Sequence, residues 1–274
     1  MRPVTTVAEV LDAVQRAKTG AAAYCTNFFP AQPKLQGWID HGELAGEFRE
    51  RVAFFGRKDR DFWHWYFSAP DVGTLEREVA ESPFLQTERV TVDLVGSEAT
   101  LGELLRVAGG AGFRPYSRLL RLARAVQPGQ ADAASEGSEV VCAEKADSQA
   151  VMDLLETSFD RYADQLPMPY EIEAAIEARQ ILLVKRDGGV GALLFFETQG
   201  LTSTVRYWVV GERFRSQRLG AVLMRHYFAA QNAARRFILW VTAVNEDAVR
   251  KYEHYGYRPD GLVDHVLVNE KIRP

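Results

Sequence analysis

The first half of the chain shows two different spacings of apolar residues. Residues 4–17 carry them three and four positions apart, which predicts a helix with one buried face. Residues 24–36 contain two prolines and are predicted to form a loop. Aromatic-rich segments at 48–55 and 62–67 flank a charged hexapeptide, and this arrangement predicts a β-hairpin.

Helix and strand patterns alternate through the rest of this half. They are predicted at residues 72–81 (helix), 89–95 (strand), 97–108 (helix) and 113–122 (strand). Residues 127–138 then hold mostly small and polar side chains and no large apolar one. This composition is typical of a linker, so we predict one domain at residues 1–126 and a second at residues 139–274.

The second half predicts a longer series of elements. Its predicted strands cover residues 139–142, 181–185, 190–198, 202–210, 237–241 and two segments between 257 and 272. Its predicted helices cover residues 147–159, 169–178 and 246–255, with a fourth that ends near residue 234. This order predicts an α/β fold of the α+β type, in which helices flank a mixed sheet.

A basic turn at residues 215–223 joins the strand that ends at Val210 to the helix that follows. The first turn of a helix has unpaired N–H groups and a partial positive charge, so it attracts anionic oxygens. Small residues let a ligand approach the backbone, and arginines add charge-assisted hydrogen bonds. The turn therefore predicts an anion site suited to a diphosphate.

The 274 residues carry a formal net charge of −4, with both signs mixed along the chain. This argues against a broad nucleic-acid surface. No apolar run approaches the roughly 20 residues of a membrane span, and the N-terminus lacks the apolar region of a secretory signal. Cys25 and Cys142 lack metal-ligand spacing and fit a reducing cytosol. We expect a cytoplasmic protein without a metal, a membrane or a nucleic acid partner.

Two groups of residues in the second half have motif-like spacings: Arg215 with Gly220, and Asn245 with Ala248, Tyr252, Gly256 and Tyr257. They resemble the motifs of the GNAT superfamily of N-acyltransferases. The family's pyrophosphate loop, Q/R-x-x-G-x-G/A, is matched at Arg215 and Gly220, while Arg218 stands where the first glycine is usual. The second signature is present as Asn245, Ala248, Tyr252, Gly256 and Tyr257. The resemblance covers roughly residues 139–269 and implies a GNAT-like twisted mixed sheet with acyl-CoA, most simply acetyl-CoA, as co-substrate.

The resemblance also implies roles for individual residues. The N–H groups of residues 217–221 would hold the diphosphate, and the ends of the preceding strand would pair with the pantetheine amides. The implied donor-binding set is Val209, Val210, Arg215, Ser216, Gln217, Arg218, Leu219, Gly220, Ala221 and Asn245. Tyr252 would protonate the departing thiolate, since tyrosine, with a pKa near ~10, is a proton donor at neutral pH. The alternatives are solvated arginines, a helix cap at Asn245 and a packed aromatic at Tyr252.

The acceptor amine is cationic near neutral pH and needs a base. Glu197, near the end of an apolar strand, is the first candidate, with a solvent-facing carboxylate as its alternative. Asp164 and His265 are weaker candidates, and a water chain serves some family members. Arg161, Tyr162 and Asp164 lie in a segment that would border the acceptor, or they belong to an ordinary exposed loop.

Residues 105–115 align with residues 249–259 through a shared Arg, Gly, aromatic, Arg and Pro, which suggests an internal repeat. The first half has no counterpart to the basic turn, and Ala108 stands where Tyr252 does. We therefore predict two GNAT-like domains, of which the first is a degenerate copy.

The predicted function is acyl transfer, most simply acetyl transfer, from CoA to a primary amine of a small molecule or peptide. The alternatives are a non-catalytic CoA-binding or scaffold protein and an enzyme that uses a longer acyl chain. A monomer and a homodimer both fit the sequence.

Overall fold

The computed structural model describes residues 1–126 and 139–272, so the predicted linker at 127–138 lies outside the described residues. The chain divides into two compact units. The first contains Met1–Leu119 together with the residues from Leu262 onward, and the second contains Leu120–Gly261.

Most helices and strands lie where the apolar spacing predicts them, but the elements at Arg2–Pro3, Cys25–Thr26, Gln32–Asp40 and Pro83–Thr87 were not predicted. The helices are α1 (Val7–Lys18), α2 (Gln32–Asp40), α3 (Val72–Ala80), α4 (Pro83–Thr87), α5 (Glu98–Gly110), α6 (Ser148–Ser158), α7 (Pro169–Glu177), α8 (Leu219–Ala230) and α9 (Glu246–His254). The strands are β1 (Arg2–Pro3), β2 (Cys25–Thr26), β3 (Leu44–Phe48), β4 (Ala53–Asp59), β5 (Phe62–Ala69), β6 (Val90–Gly96), β7 (Phe113–Ala125), β8 (Val140–Cys142), β9 (Ile181–Arg186), β10 (Gly189–Gln199), β11 (Thr202–Val210), β12 (Arg236–Thr242) and β13 (Arg258–Asn269).

The sheet of the first unit runs in the order β1-β3-β4-β5-β6-β13. Its pairs are antiparallel except for β5 with β6, which are parallel at only two positions. The residues of β13 that pair with β6 are those from Val263 onward. A core that includes Val10, Trp38 and Phe55 covers one face of this sheet, under α1 and α2.

The sheet of the second unit runs in the order β7-β12-β11-β10-β9-β8. Strand β7 contributes to this unit only its residues from Leu120 onward. Alternate residues of β10 enter two separate cores, because successive strand residues point to opposite faces. Leu194 packs with α8 and α9 residues, and Phe195 packs with α6 and α7 residues. The predicted mixed sheet flanked by helices is confirmed.

Strands β11 and β12 separate part of the way along their length. Their parallel pairing runs from Thr202 opposite Arg236 to Val205 opposite Leu239, and it continues no further among the described residues. At the same level a bulge leaves Arg206 without a partner on β10. We call the gap between residues 206–210 and 240–242 the second-unit fork.

Three expectations differ from the structure. The predicted loop at residues 24–36 is wrong at its end, because Pro33 lies in the first turn of α2, where its missing N–H costs no hydrogen bond. The hairpin turn is shorter than predicted, since β4 continues to Asp59 and Arg60 takes the positive φ of the turn. One long strand, β13, replaces the two strands expected after residue 257.

The predicted domains also differ from the two units at their ends. The N–H of Val126 donates to the carbonyl of Arg235, so this end of the first half belongs with the second unit. Residues 263–268 pair with β6 and belong with the first unit. Among residues 1–126 and 139–272, no helix is both long and apolar enough to cross a membrane.

Candidate active site

The basic turn lies at the mouth of the second-unit fork, directly after β11. A short 3₁₀ helix (Glu212–Gln217) leads into α8, and Arg218 joins the two with φ 57° and ψ 19°. This is the left-handed region, which only glycine adopts without steric cost. This backbone conformation explains why glycine is usual at this position of the motif. Arg218 adopts the same conformation at a steric cost.

The start of α8 offers free hydrogen-bond donors. The N–H groups of Ala221 and Val222 donate to the carbonyl of Arg218, at 3.0 and 3.3 Å. Within the part of the chain that the structure describes, no hydrogen bond uses the N–H groups of Arg218, Leu219 or Gly220. Of the predicted diphosphate donors, the N–H groups of residues 217–221, that of Ala221 is already engaged, and those of Arg218, Leu219 and Gly220 are not, within the residues described.

Positive charge surrounds these donors. Arg215 and Arg218 are exposed, as are Ser216 and Gln217 between them. Arg215 lies 3.7 Å from the exposed Glu212, a contact of the kind that contributes little in water. Both guanidinium groups therefore remain available to an anion at the helix start.

Gly220 is required by close packing with Trp208. A Cβ atom at Gly220 would lie 3.0 Å from Cζ2 of the Trp208 indole, closer than ordinary packing allows. The same indole contacts Tyr252, with ring centroids 5.4 Å apart, and Tyr255, at 5.9 Å. Trp208 therefore connects the helix start to the tyrosine of the second motif. No motif in the sequence indicates this role of Trp208.

Tyr252 is a buried tyrosine on α9, with 8% of its surface exposed. Burial, together with the negative charge of Asp164, raises the pKa of the Tyr252 hydroxyl above its usual value. No hydrogen bond of this hydroxyl is found within residues 1–126 and 139–272. The hydroxyl thus keeps its proton at neutral pH and has none of these residues to donate it to.

Asn245 is the N-cap of α9. Its side-chain oxygen accepts a hydrogen bond from the N–H of Ala248 at 3.1 Å. The capping role considered from the sequence is therefore present. The cap uses only the side-chain oxygen of Asn245, so the side-chain nitrogen remains available for another contact.

Asp164 lies in a tightly bonded loop between α6 and α7. Its Oδ2 accepts from the N–H of Asp160 at 2.8 Å. The buried Tyr207 hydroxyl lies within hydrogen-bonding distance of the carbonyls of Asp164 and Gln165, at 3.0 and 2.7 Å. Burial, with the charge of Asp160 adding to it, raises the pKa of the Asp164 carboxyl to about 6. A carboxyl tuned in this way suits proton transfer near neutral pH.

Glu197 has a different environment from Asp164. Its side chain is 47% exposed and lies 3.8 Å from Nε of Arg206, the bulged residue of β11. The carboxylate whose charge acts on Tyr252 is that of Asp164. The weaker base candidate from the sequence is therefore the one whose charge contributes to the raised pKa of Tyr252.

The remaining sequence candidates lie in two places. Arg161 and Tyr162 precede Asp164 in the same loop, where the Arg161 guanidinium lies 5.2 Å from the centre of the Tyr162 ring. His265 belongs to the first unit, and its Nε2 is 3.0 Å from Oε2 of Glu98. Among the residues described, no group of three or more His, Cys, Asp or Glu side chains is arranged to hold a metal ion.

Comparisons with known proteins show what the chain resembles in sequence and in fold. Residues 148–257 match the family model described as the acetyltransferase (GNAT) family. The chain is similar over 100% of its length to a tandem GNAT protein from the clavulanic acid biosynthesis pathway, of which 98% is covered, with 10% identity and a TM-score of 0.62. No curated protein matches the chain.

Two further structures show the same fold. A GCN5-related N-acetyltransferase from Kribbella flavida is 19% identical, with 86% of this chain and 92% of that chain covered and a TM-score of 0.56. A GCN5-related N-acetyltransferase from Sphaerobacter thermophilus is 16% identical, with 81% of this chain and 77% of that chain covered and a TM-score of 0.57. At these identities the structures establish the fold, and the family model matches residues 148–257 within the second unit.

Proposed function

We propose that the second unit, which contains the residues 148–257 that match the acetyltransferase (GNAT) family model, transfers an acyl group from acyl-CoA to an amine. The observation that carries the proposal is the second-unit fork. Trp208 at this fork packs against both Gly220 at the start of α8, where N–H donors are free, and the buried, protonated Tyr252.

The donor is bound at the open end of the fork. The diphosphate is held by the N–H groups of Arg218, Leu219 and Gly220, with Arg215 and Arg218 adding charge. The pantetheine lies along Val209 and Val210, whose β12-facing edge has no strand pairing among the described residues. Its amides thereby add to the sheet as a short strand. The side-chain nitrogen of Asn245 is proposed to contact the same arm.

The acyl group is transferred by direct attack. The amine nitrogen bonds to the thioester carbonyl carbon and the carbon–sulfur bond breaks. Asp164 accepts the proton that the cationic amine must lose before attack, and the Tyr252 hydroxyl donates a proton to the departing sulfur. The second proton that the nitrogen loses as the amide forms passes to water. Both groups then exchange protons with water, which returns them to their starting states.

We propose Asp164 in preference to Glu197 as the base. Asp164 is partly buried and its charge acts on Tyr252, whereas Glu197 is half-exposed and faces Arg206. Arg161 and Tyr162 share the loop of Asp164 and are proposed to border the acceptor amine.

Titration of the protein with acetyl-CoA by calorimetry tests the proposal. We expect binding, and release of free thiol when a panel of amines is added. No binding by a folded protein contradicts the donor site. Binding without thiol release for any amine indicates a non-catalytic acyl-CoA-binding protein.

Arg218 allows the backbone and the charge of the turn to be tested separately. Arg218→Gly and Arg218→Ala both remove the guanidinium, so we expect the two variants to lose a similar part of the CoA affinity. Only glycine relieves the positive φ, so its free energy of unfolding is expected to exceed that of the alanine variant by about 1 kcal/mol. Urea denaturation measures this difference, and equal stabilities contradict the explanation given for Arg218.

A further inference from the structure

We propose that the first unit holds a second fork of the same kind, closed by the chain's own residues 24–28, so that each chain binds one acyl-CoA. The evidence that this fork is closed consists of contacts within the first unit. The statement about acyl-CoA also rests on the proposed function of the second unit.

The first-unit fork is formed by β5 and β6. Their parallel pairing consists of Trp63 opposite Val90 and His64 opposite Thr91, after which it ends among the described residues. In both units the first strand of the fork follows an antiparallel hairpin partner, β4 for β5 and β10 for β11. Along the chain, a helix and a long strand follow the second strand of each fork, α5 and β7 after β6, and α9 and β13 after β12.

Strand β2 occupies the edge of β5 at the open end of this fork. Cys25 pairs with Ala69 and Thr26 pairs with Ser68, the last two residues of β5. The proposed pantetheine site uses Val209 and Val210, the last two residues of β11. A strand of the chain itself therefore lies where the second unit leaves an edge for a ligand.

Asn27 bridges the two strands of the first-unit fork. Its side-chain nitrogen donates to the carbonyls of Trp65 on β5 and Asp93 on β6, both at 3.1 Å. Its side-chain oxygen accepts from the N–H of Phe67 at 2.7 Å. Backbone groups of both strands that an amide-bearing ligand would need are thus already used.

The residues on either side of Asn27 fix it in place. The Thr26 hydroxyl donates to the carbonyl of Phe67 at 2.6 Å. The Phe28 ring stacks on Phe55, with centroids 4.2 Å apart and planes 11° from parallel. The segment is therefore packed into the unit on both sides of the bridging amide.

The helix start beside this fork carries the opposite charge from its counterpart. The N-cap of α3 is Asp71, whose oxygens accept from the N–H and the hydroxyl of Thr74 at 2.7 and 2.9 Å. These hydrogen bonds lower the pKa of the Asp71 carboxyl, so it is anionic at neutral pH. A diphosphate at this helix start would meet a fixed negative charge where the second unit has Arg218.

Hydrogen exchange measured by mass spectrometry tests the closure. In the unmodified protein, acetyl-CoA should slow exchange at residues 206–222 and leave residues 62–69 and 90–96 unchanged. Asn27→Ala should accelerate exchange at 62–69 by about tenfold or more, because it removes three hydrogen bonds that tie β5 to β6. Gln36→Ala is the matched control, since it deletes an exposed amide of the same unit that bonds only to Asp40 in the described chain.

The outcomes separate this inference from the proposed function. Two molecules of acetyl-CoA per chain in native mass spectrometry, or slowed exchange at 62–69 on adding acetyl-CoA, overturn the closed fork. So does an Asn27→Ala variant whose exchange matches that of Gln36→Ala. Absence of any acetyl-CoA effect contradicts the proposed function instead, and the Asn27 comparison still decides whether the fork is closed. If Asn27→Ala does not fold, Thr26→Val removes only the hydroxyl contacts and is expected to show a smaller acceleration.

Discussion

Replacement of Tyr252 by phenylalanine is expected to lower kcat by about 100-fold or more while CoA affinity remains unchanged. General acid catalysis contributes roughly 10²–10⁴-fold, and the variant has no proton to give to the leaving thiolate. The phenyl ring retains the contacts with Trp208 and Tyr257, whose centroids lie 5.4 and 5.9 Å away. Steady-state thiol release measures kcat, and calorimetry measures the affinity.

Tyr255→Phe is the control for this experiment. Tyr255 contacts the same Trp208 ring and follows Tyr252 by one turn of chain, but it is only partly buried. We expect its kcat to stay within about twofold of that of the unmodified protein. Unchanged turnover in Tyr252→Phe would remove this residue from the mechanism.

Replacement of Asp164 by asparagine is expected to lower kcat/KM by about 100-fold and to abolish the acidic limb of the pH profile. Burial raises the pKa of the Asp164 carboxyl to about 6, and only the carboxylate accepts a proton. The activity of the unmodified protein should therefore rise as pH increases through about 6. Asparagine keeps an oxygen for the N–H of Asp160, so the loop itself is expected to persist.

Glu197→Gln distinguishes the two candidate bases. Glu197 is half-exposed and lies 3.8 Å from Arg206, so its replacement should leave the acidic limb in place. A profile that loses this limb in Glu197→Gln and keeps it in Asp164→Asn would identify Glu197 as the base. Measurement of kcat/KM from about pH 5 to pH 9 for both variants gives the answer.

The sequence could predict the parts of the site that lie within one segment. Arg215, Gly220, Asn245 and Tyr252 stand at fixed spacings around a helix start, and such spacings are visible without a structure. The raised pKa of Asp164 arises from burial, and its loop is held by Tyr207, 43 residues away, so no local pattern indicates it.

The first unit shows the same limit. Asn27 bonds to residues 38 and 66 positions later, and its segment contains the prolines that predicted a loop. The composition of 24–36 correctly indicated irregular backbone near Asn27, but it gave no indication that this backbone fills a gap in a sheet. The start of α2 was missed because proline breaks a helix in the interior and favours it in the first turn.

The position of β13 in the first unit has a consequence for synthesis on the ribosome. The N–H of Val90 on β6 donates to the side chain of Asn269, which is 179 residues further along the chain. At about 5–20 residues per second, roughly 10–35 s pass between the emergence of the two. During that interval β6 has only its short pairing with β5, and its other edge is open to wrong partners. Most of the first unit is translated before the second unit. It is nevertheless completed only when β13 leaves the ribosome.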